Sequence, residues 1–162
     1  MTKVAITGHR PEDLENIAWI TESLEKLLIG LKPEILYQGM AAGADLMSAE
    51  VAHKVGIPFI AARPWSTHTP RIEDKKLYEW TMLNALKVVN VDEIDYYSGP
   101  HLYHNRNEYM VDNADIVIAI WNGKATGGTA ACVRYAKKKA KTIIQINPSK
   151  KEIKEIVEAT LF

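Results

Sequence analysis

Apolar positions along this chain follow two alternating rhythms. Short, nearly unbroken apolar runs recur at Val4–Thr7, Ile35–Gln38, Pro58–Ala62, Lys87–Val91, Ile116–Ile120 and Thr142–Ile146. Between them, apolar residues fall three and four apart. Ile17, Ile20, Leu24, Leu27, Leu28 and Leu31 share one helical face, and the spacing predicts a helix that opens near Pro11, a residue suited to the first helical position. Ser149 and Glu152 have the spacing of a capping box, and Ile153, Ile156, Val157 and Leu161 then predict a closing helix. Strands that read as continuous apolar runs are buried on both faces, and their alternation with helices predicts a parallel sheet. The expected architecture is α/β: one domain over residues 1–162, three layers, Rossmann-like, with a mainly parallel sheet of about six strands and helices on both faces. In such sheets a ligand binds outside the carboxyl ends of the strands, where strand order reverses.

The chemistry-bearing residues gather just after those strands. The first strand runs into Gly8-His9-Arg10, and the second into "QGMAAGAD", which carries Gly39, Met40, Gly43 and Asp45. The third runs into "RPWSTHTP" from Arg63, and the fifth into "WNGKATGGT", with Trp121, Asn122, Gly127, Gly128 and Thr129. The segment "HLYHNRNEYMVDNAD" adds Arg106 and Asn107. Two glycines ahead of a helix let backbone N–H groups approach an anion where the helix dipole favours it. The Gly127–Thr129 turn is thus a candidate phosphate site, or simply a flexible turn with Thr129 as helix cap. Asp45 is either an acceptor for a ribose hydroxyl or an ordinary cap. Glu12 and Asp13 would repel a phosphate at the first helix, so His9 and Arg10 are expected to serve another part of the ligand, unless Arg10 pairs with those carboxylates. Trp65 suits a lid that stacks on a base, or a partly buried loop aromatic.

Composition narrows the function classes. The 162 residues are 47% hydrophobic and 25% charged, with zero formal net charge. A non-specific grip on duplex DNA through overall charge is disfavoured, although a local basic site is not. Cys132 is the single cysteine, so no internal disulfide forms, and a cytoplasmic location is expected. No stretch has the length and apolarity of a membrane span. Neither glycine loop matches Gly-x-Gly-x-x-Gly or a P-loop, and His68, His101 and His104 lack zinc-site spacing with Cys132. No metal and no resident cofactor are expected. Helix faces near Trp80 and Tyr135 are candidates for a homodimer or higher homo-oligomer.

The set "TGHRP", "GMAAGAD", "RNEYMVDNADIVIAIWNG" and "GGTAACVRYAKKKAK", in this order over most of the chain, resembles the YpsA-like branch of the SLOG superfamily. That superfamily also includes the DNA-processing protein A family and LOG-type phosphoribohydrolases. The resemblance implies a Rossmann-like domain that binds a nucleotide or derivative, ADP-ribose-like or a mono- or dinucleotide, as a sensor or sequestering module. It places a phosphate at Gly127–Thr129 with Arg106 as charge partner, a sugar beside Gly39, Gly43 and Asp45, and the rest of the rim around Gly8, His9, Arg10 and Trp121. An alternative is N-glycosidic hydrolysis, with Arg106 stabilising charge and Asp45 or Glu50 as base. Against it, Cys132 stands where the LOG-type enzymes carry a glutamate. The third alternative, single-stranded nucleic-acid binding, is disfavoured by the neutral charge.

Overall fold

The computed structural model describes residues 2–156. Its strands are β1 (Lys3–Gly8), β2 (Ile35–Gln38), β3 (Phe59–Trp65), β4 (Lys87–Asp92), β5 (Ile116–Ile120), β6 (Thr142–Asn147) and β7 (Glu152–Ile156). Its helices are α1 (Ile17–Leu31), α2 (Ala44–Lys54), α3 (Lys75–Asn84), α4 (His101–Asn113) and α5 (Gly128–Lys138), with single 3-10 turns at Pro11–Asp13 and Ile72–Asp74. One sheet joins all the strands in the order β4-β3-β2-β1-β5-β6-β7, parallel throughout except for β7.

Alternation along each strand divides the core in two. Val4 and Ile6 of β1 and Ile118 and Ile120 of β5 point to the face covered by α1 and α2, where Ile20, Leu24, Leu28, Ala49 and Ala52 meet them. Ala5, Val117 and Ala119 point to the other face, against Met110 and Val111 of α4 and Cys132, Val133 and Ala136 of α5. A smaller cluster of Met40, Leu46, Ala61 and Tyr78 attaches α3 beside α2. Both sheet faces are therefore dry, which is why these strands carry almost no polar residues.

The chain builds outward from β1 through β2 and β3 to β4. Helix α4 then returns it across the sheet to β5, on the opposite side of β1. Strand order reverses between β1 and β5, whose ends Gly8 and Ile120 lie side by side. The loops that follow them diverge onto opposite faces and leave an opening at the carboxyl edge of the sheet.

Three expectations change. The sheet has seven strands, not about six, because the segment expected to open a last helix is a strand. The Asn147 side chain accepts from the N–H groups of Ser149 and Lys150 and turns the chain, Lys151 takes a left-handed φ of 51°, and Glu152–Ile156 returns antiparallel along β6. Val157 and Leu161 of that expected helix lie outside the described residues. Pro11 begins only one 3-10 turn; Leu14 is extended and Asn16 left-handed, so α1 starts at Ile17. Strand β3 runs on to Trp65, past the expected stop at Ala62, so Arg63 and Trp65 are strand residues and not parts of a lid.

Candidate functional site: a cationic cleft at the strand ends

A cleft of about 820 Å³ opens at the carboxyl edge between the β1, β2, β3 and β5 loops and the first half of α4. Its construction begins at Gly8. A Cβ there would lie 2.4 Å from the Ala44 Cβ and 2.9 Å from the Ile120 carbonyl oxygen, so only glycine lets α2 and β5 pack this closely on β1. His9 then ties the two lips together. Its N–H donates to the Ile120 carbonyl at 3.0 Å, its carbonyl accepts from Ala44 N–H at 3.1 Å, and its Nε2 accepts from Asn122 N–H at 3.0 Å. The imidazole is 7% exposed, and its Nε2 is committed to the fold. Arg10 is exposed and reaches the opening, with no hydrogen-bond or ion-pair partner among the described residues; Arg71, not Arg10, takes Glu12.

The β2 loop makes the floor. Gln38 Oε1 accepts from Met40 N–H at 2.8 Å and holds Met40 at a left-handed φ of 63°. Gly43 is the N-cap of α2 at φ 91°, where a Cβ would lie 2.6 Å from the His9 carbonyl. Asp45, in the first turn of α2, accepts from Ala41 N–H through Oδ2 at 3.3 Å and is 5% exposed. Burial pushes its carboxyl above the usual carboxylate value, with the charge of Arg106 pulling the other way.

Arg106 comes from α4 and is 6% exposed. Nη1 donates to the Gly39 carbonyl at 2.6 Å and Nε to Asn107 Oδ1 at 3.1 Å, while the Tyr103 ring lies 5.7 Å from the guanidinium carbon. A Cβ on Gly39 would sit 2.7 Å from Arg106 Cδ, so the glycine makes room for the arginine. No hydrogen bond or ion pair joins Arg106 to Asp45 among the described residues, and Nη2 has no protein partner. Every fully buried side-chain nitrogen or oxygen among the described residues is partnered, so the unpartnered Nη2 keeps some solvent access, and Arg106 is among the residues that line the cleft.

The far lip is the amino end of α5. Gly127, not Thr129, is the N-cap, at φ 99°; no side chain caps the helix and its first turn holds no acid. A Cβ at Gly127 or Gly128 would meet nothing within 4 Å. Thr129 lies one residue further in and also lines the cleft. Arg134 Nη1 braces the approaching loop through the Ala125 carbonyl at 3.1 Å. Around the cleft stand Arg10, Arg71, Arg106, Lys124 and Arg134 against the carboxylates Asp13 and Asp45, in a chain of zero net charge.

Of the residues singled out from sequence, the cleft gathers Gly8, His9, Arg10, Met40, Asp45, Arg106, Asn107, Gly127, Gly128 and Thr129. Gly39 and Gly43 stand behind its wall. Asn122 gives its backbone N–H to His9 Nε2 and its side-chain Oδ1 accepts from Lys124 N–H, and Trp121 Nε1 donates to the Lys124 carbonyl. Arg63 is spent inside the protein: Nε donates to Tyr78 Oη, Nη1 to Asn90 Oδ1 and Nη2 to the His68 carbonyl. Trp65 is 8% exposed and enclosed by the rings of His68, Tyr97 and Tyr103, so it offers no face to a base. Glu50, in the second half of α2, is exposed and does not line the cleft, which removes it as a base beside Asp45. Cys132 is buried on the sheet-facing side of α5, and desolvation pushes its thiol up to about 11. Sequence reading missed His68, Tyr103, Lys124 and Arg134 as lining residues; His68 and Lys124 follow strand ends, whereas Tyr103 and Arg134 lie within α4 and α5 and carry no local signal. Among the described residues no helix is long and apolar enough to cross a membrane.

No family model matches the chain. A curated relative, an uncharacterised SPbeta prophage-derived protein of Bacillus subtilis, is 36% identical over 75 residues, 40% of this chain and 43% of the relative. Among solved structures, DNA processing protein A of Streptococcus pneumoniae superposes with TM-score 0.69 at 21% identity, over 90% of this chain and 50% of that one. The Helicobacter pylori protein of the same name, described by its single-stranded DNA binding mode, gives TM-score 0.68 at 23% identity, over 89% of this chain and 64% of that one. The molybdenum cofactor carrier protein of Chlamydomonas reinhardtii gives TM-score 0.59 at 17% identity, over 89% and 75%. The fold is theirs. It is a Rossmann-type α/β fold, and the chain spans less than half of the curated relative it matches and about half of the Streptococcus protein.

Proposed function

We propose that this chain is a single nucleotide-binding domain of the YpsA-like branch, a sensor or sequestering module for a nucleotide-derived ligand such as ADP-ribose. One observation carries the reading. The amino end of α5 has no side-chain cap, no acid in its first turn and open space at both glycines, and it faces a cleft rich in unpaired cations. Free N–H groups and the helix dipole favour an anion there, and Arg10, Lys124 and Arg134 add charge around it. Arg106 Nη2 and Asp45 remain for the sugar, since a hydroxyl can accept from the one and donate to the other. Binding without turnover fits the inert Cys132 at the position of the enzymes' glutamate and the loss of Glu50 from the cleft.

Thermal shift against a panel of nucleotides and ADP-ribose tests this reading, with an increase in melting temperature expected for at least one member. No shift across the panel at millimolar concentration refutes it. Chromatography of the same mixtures decides between binding and hydrolysis: products that disappear with Arg106→Ala would establish the N-glycosidic alternative. A second macromolecular reading draws on the Helicobacter neighbour and the cationic cleft. A salt-sensitive gel shift with a single-stranded oligonucleotide would support it, and no shift at low salt would dismiss it.

A further inference from the structure

His68 sits in the loop after β3 and lines the cleft, and its protons can be placed from its neighbours. The Tyr78 hydroxyl carries one proton and donates it to the His68 carbonyl at 2.9 Å. The same oxygen accepts from Arg63 Nε at 3.1 Å and lies 3.0 Å from His68 Nδ1. When the hydroxyl proton goes to the carbonyl, Nδ1 is the donor in that last contact and Nε2 keeps a bare lone pair. The ring cannot easily turn to exchange the two nitrogens, because Trp65 meets it edge-on at 5.0 Å between ring centroids. Nε2 has no protein partner, and since no buried side-chain nitrogen among the described residues is left unpaired, it keeps solvent access in a residue that lines the cleft.

Resting on the nucleotide reading above, we propose that His68 is a specificity-determining residue whose Nε2 accepts a hydrogen bond from a ribose hydroxyl of the ligand. Among the other groups that line the cleft, Arg106 Nη2 only donates and Asp45 accepts. A vicinal diol satisfies such a set, because each hydroxyl both donates and accepts; a fully ionised phosphate has no proton to donate to Nε2. The lone pair also persists at ordinary pH. Burial is the main cause that pushes the His68 imidazole down to about 4, and the cations Arg106, Arg63 and Arg10 add to it. Tyr78 faces the ring from α3, and the carboxylates Asp13 and Asp45 belong to other walls of the cleft.

The test compares ADP-ribose, whose pyrophosphate charge is constant from pH 5.5 to 8, with inorganic pyrophosphate, which carries no sugar. His68→Phe keeps the ring against Trp65 and removes both nitrogens; His68→Gln returns a polar tip near the Nε2 position without the Tyr78 contact. Expected results are about a tenfold loss of ADP-ribose affinity in His68→Phe, recovery to within about threefold in His68→Gln, and unchanged pyrophosphate affinity in both. Wild-type ADP-ribose affinity should be flat from pH 8 to 5.5. Nitrogen-15 spectra of the ligand-free protein should show Nδ1 protonated and Nε2 bare over that range. An Nε2-protonated tautomer, equal losses in the two variants, or undiminished ADP-ribose affinity in folded His68→Phe each overturns the role of His68. Failure of the wild type to bind either probe overturns the nucleotide reading itself.

Discussion

Gly128→Ala separates what the fold needs at the mouth of α5 from what a ligand needs. The added Cβ meets no atom within 4 Å, and the residue is not at positive φ, so the free protein should accept it without strain. Alanine is favoured over glycine in a helix by about 0.5–1 kcal/mol, and the lower end applies in a first turn. For a domain of this size that is a rise of roughly 1–2 °C in melting temperature. In the complex the same methyl occupies space that an anion must enter to reach the Gly128, Thr129 and Ala130 N–H groups at about 2.9 Å. Loss of one charge-assisted bond of about 1.5–3 kcal/mol weakens binding at least tenfold. Differential scanning fluorimetry reads the first effect, and isothermal titration with ADP-ribose the second. Gly43→Ala is the contrasting control, because its Cβ meets the His9 carbonyl at 2.6 Å at a φ of 91°; it should destabilise by roughly 2–3 kcal/mol. A fall of several degrees in Gly128→Ala would show that the fold itself requires this glycine. Undiminished affinity would show that no phosphate binds at this helix end.

Three further outcomes are expected. Gly39→Ala should drive the Arg106 side chain out of its place and break its bond to the Gly39 carbonyl, costing roughly 2–4 kcal/mol in urea unfolding; a cost below about 0.5 kcal/mol would contradict the packing. His68 has a folded value of about 4 against about 6.5 unfolded, so the unfolded chain binds more protons between those values. Its contribution is complete above pH 6.5 and is lost as pH falls towards 4, up to roughly 3 kcal/mol, and His68→Gln should flatten the wild-type decline of stability with acid; parallel curves would refute it. Asp45, shifted upward, acts in the opposite sense and is common to both proteins in that comparison. Cys132 should stay unmodified by a thiol reagent at pH 8 until the protein unfolds, and rapid modification of the native protein would contradict its burial.

The central strands were legible because both their faces are dry, so β1 and β5 read as apolar runs that nothing else in the chain imitates. β7 was not, because Ile153 and Ile156, three apart, satisfy a helical stripe as well as a short strand, and only the turn built on Asn147 decides between them. The position of the cleft followed from the strand ends. The division of labour within it did not: a polar residue after a strand has the same sequence signature whether it bonds a ligand or a neighbouring loop. His9 and Arg63 were expected to face outward, yet the Nε2 of His9 and the whole guanidinium of Arg63 bond the protein itself. The Nδ1 contact of His68 is made by Tyr78, ten residues away, which no local pattern brings to it.

Of the five cations around the opening, Arg71 is held by Glu12, Glu73 and Asp74, whereas Arg10, Arg106, Lys124 and Arg134 have no carboxylate partner among the described residues. Those four groups make a local positive patch on the β1, α4 and α5 sides of the mouth, offset only by Asp13 and Asp45. Anionic molecules diffusing nearby are turned towards that mouth before any contact, and added salt slows their capture more than their escape.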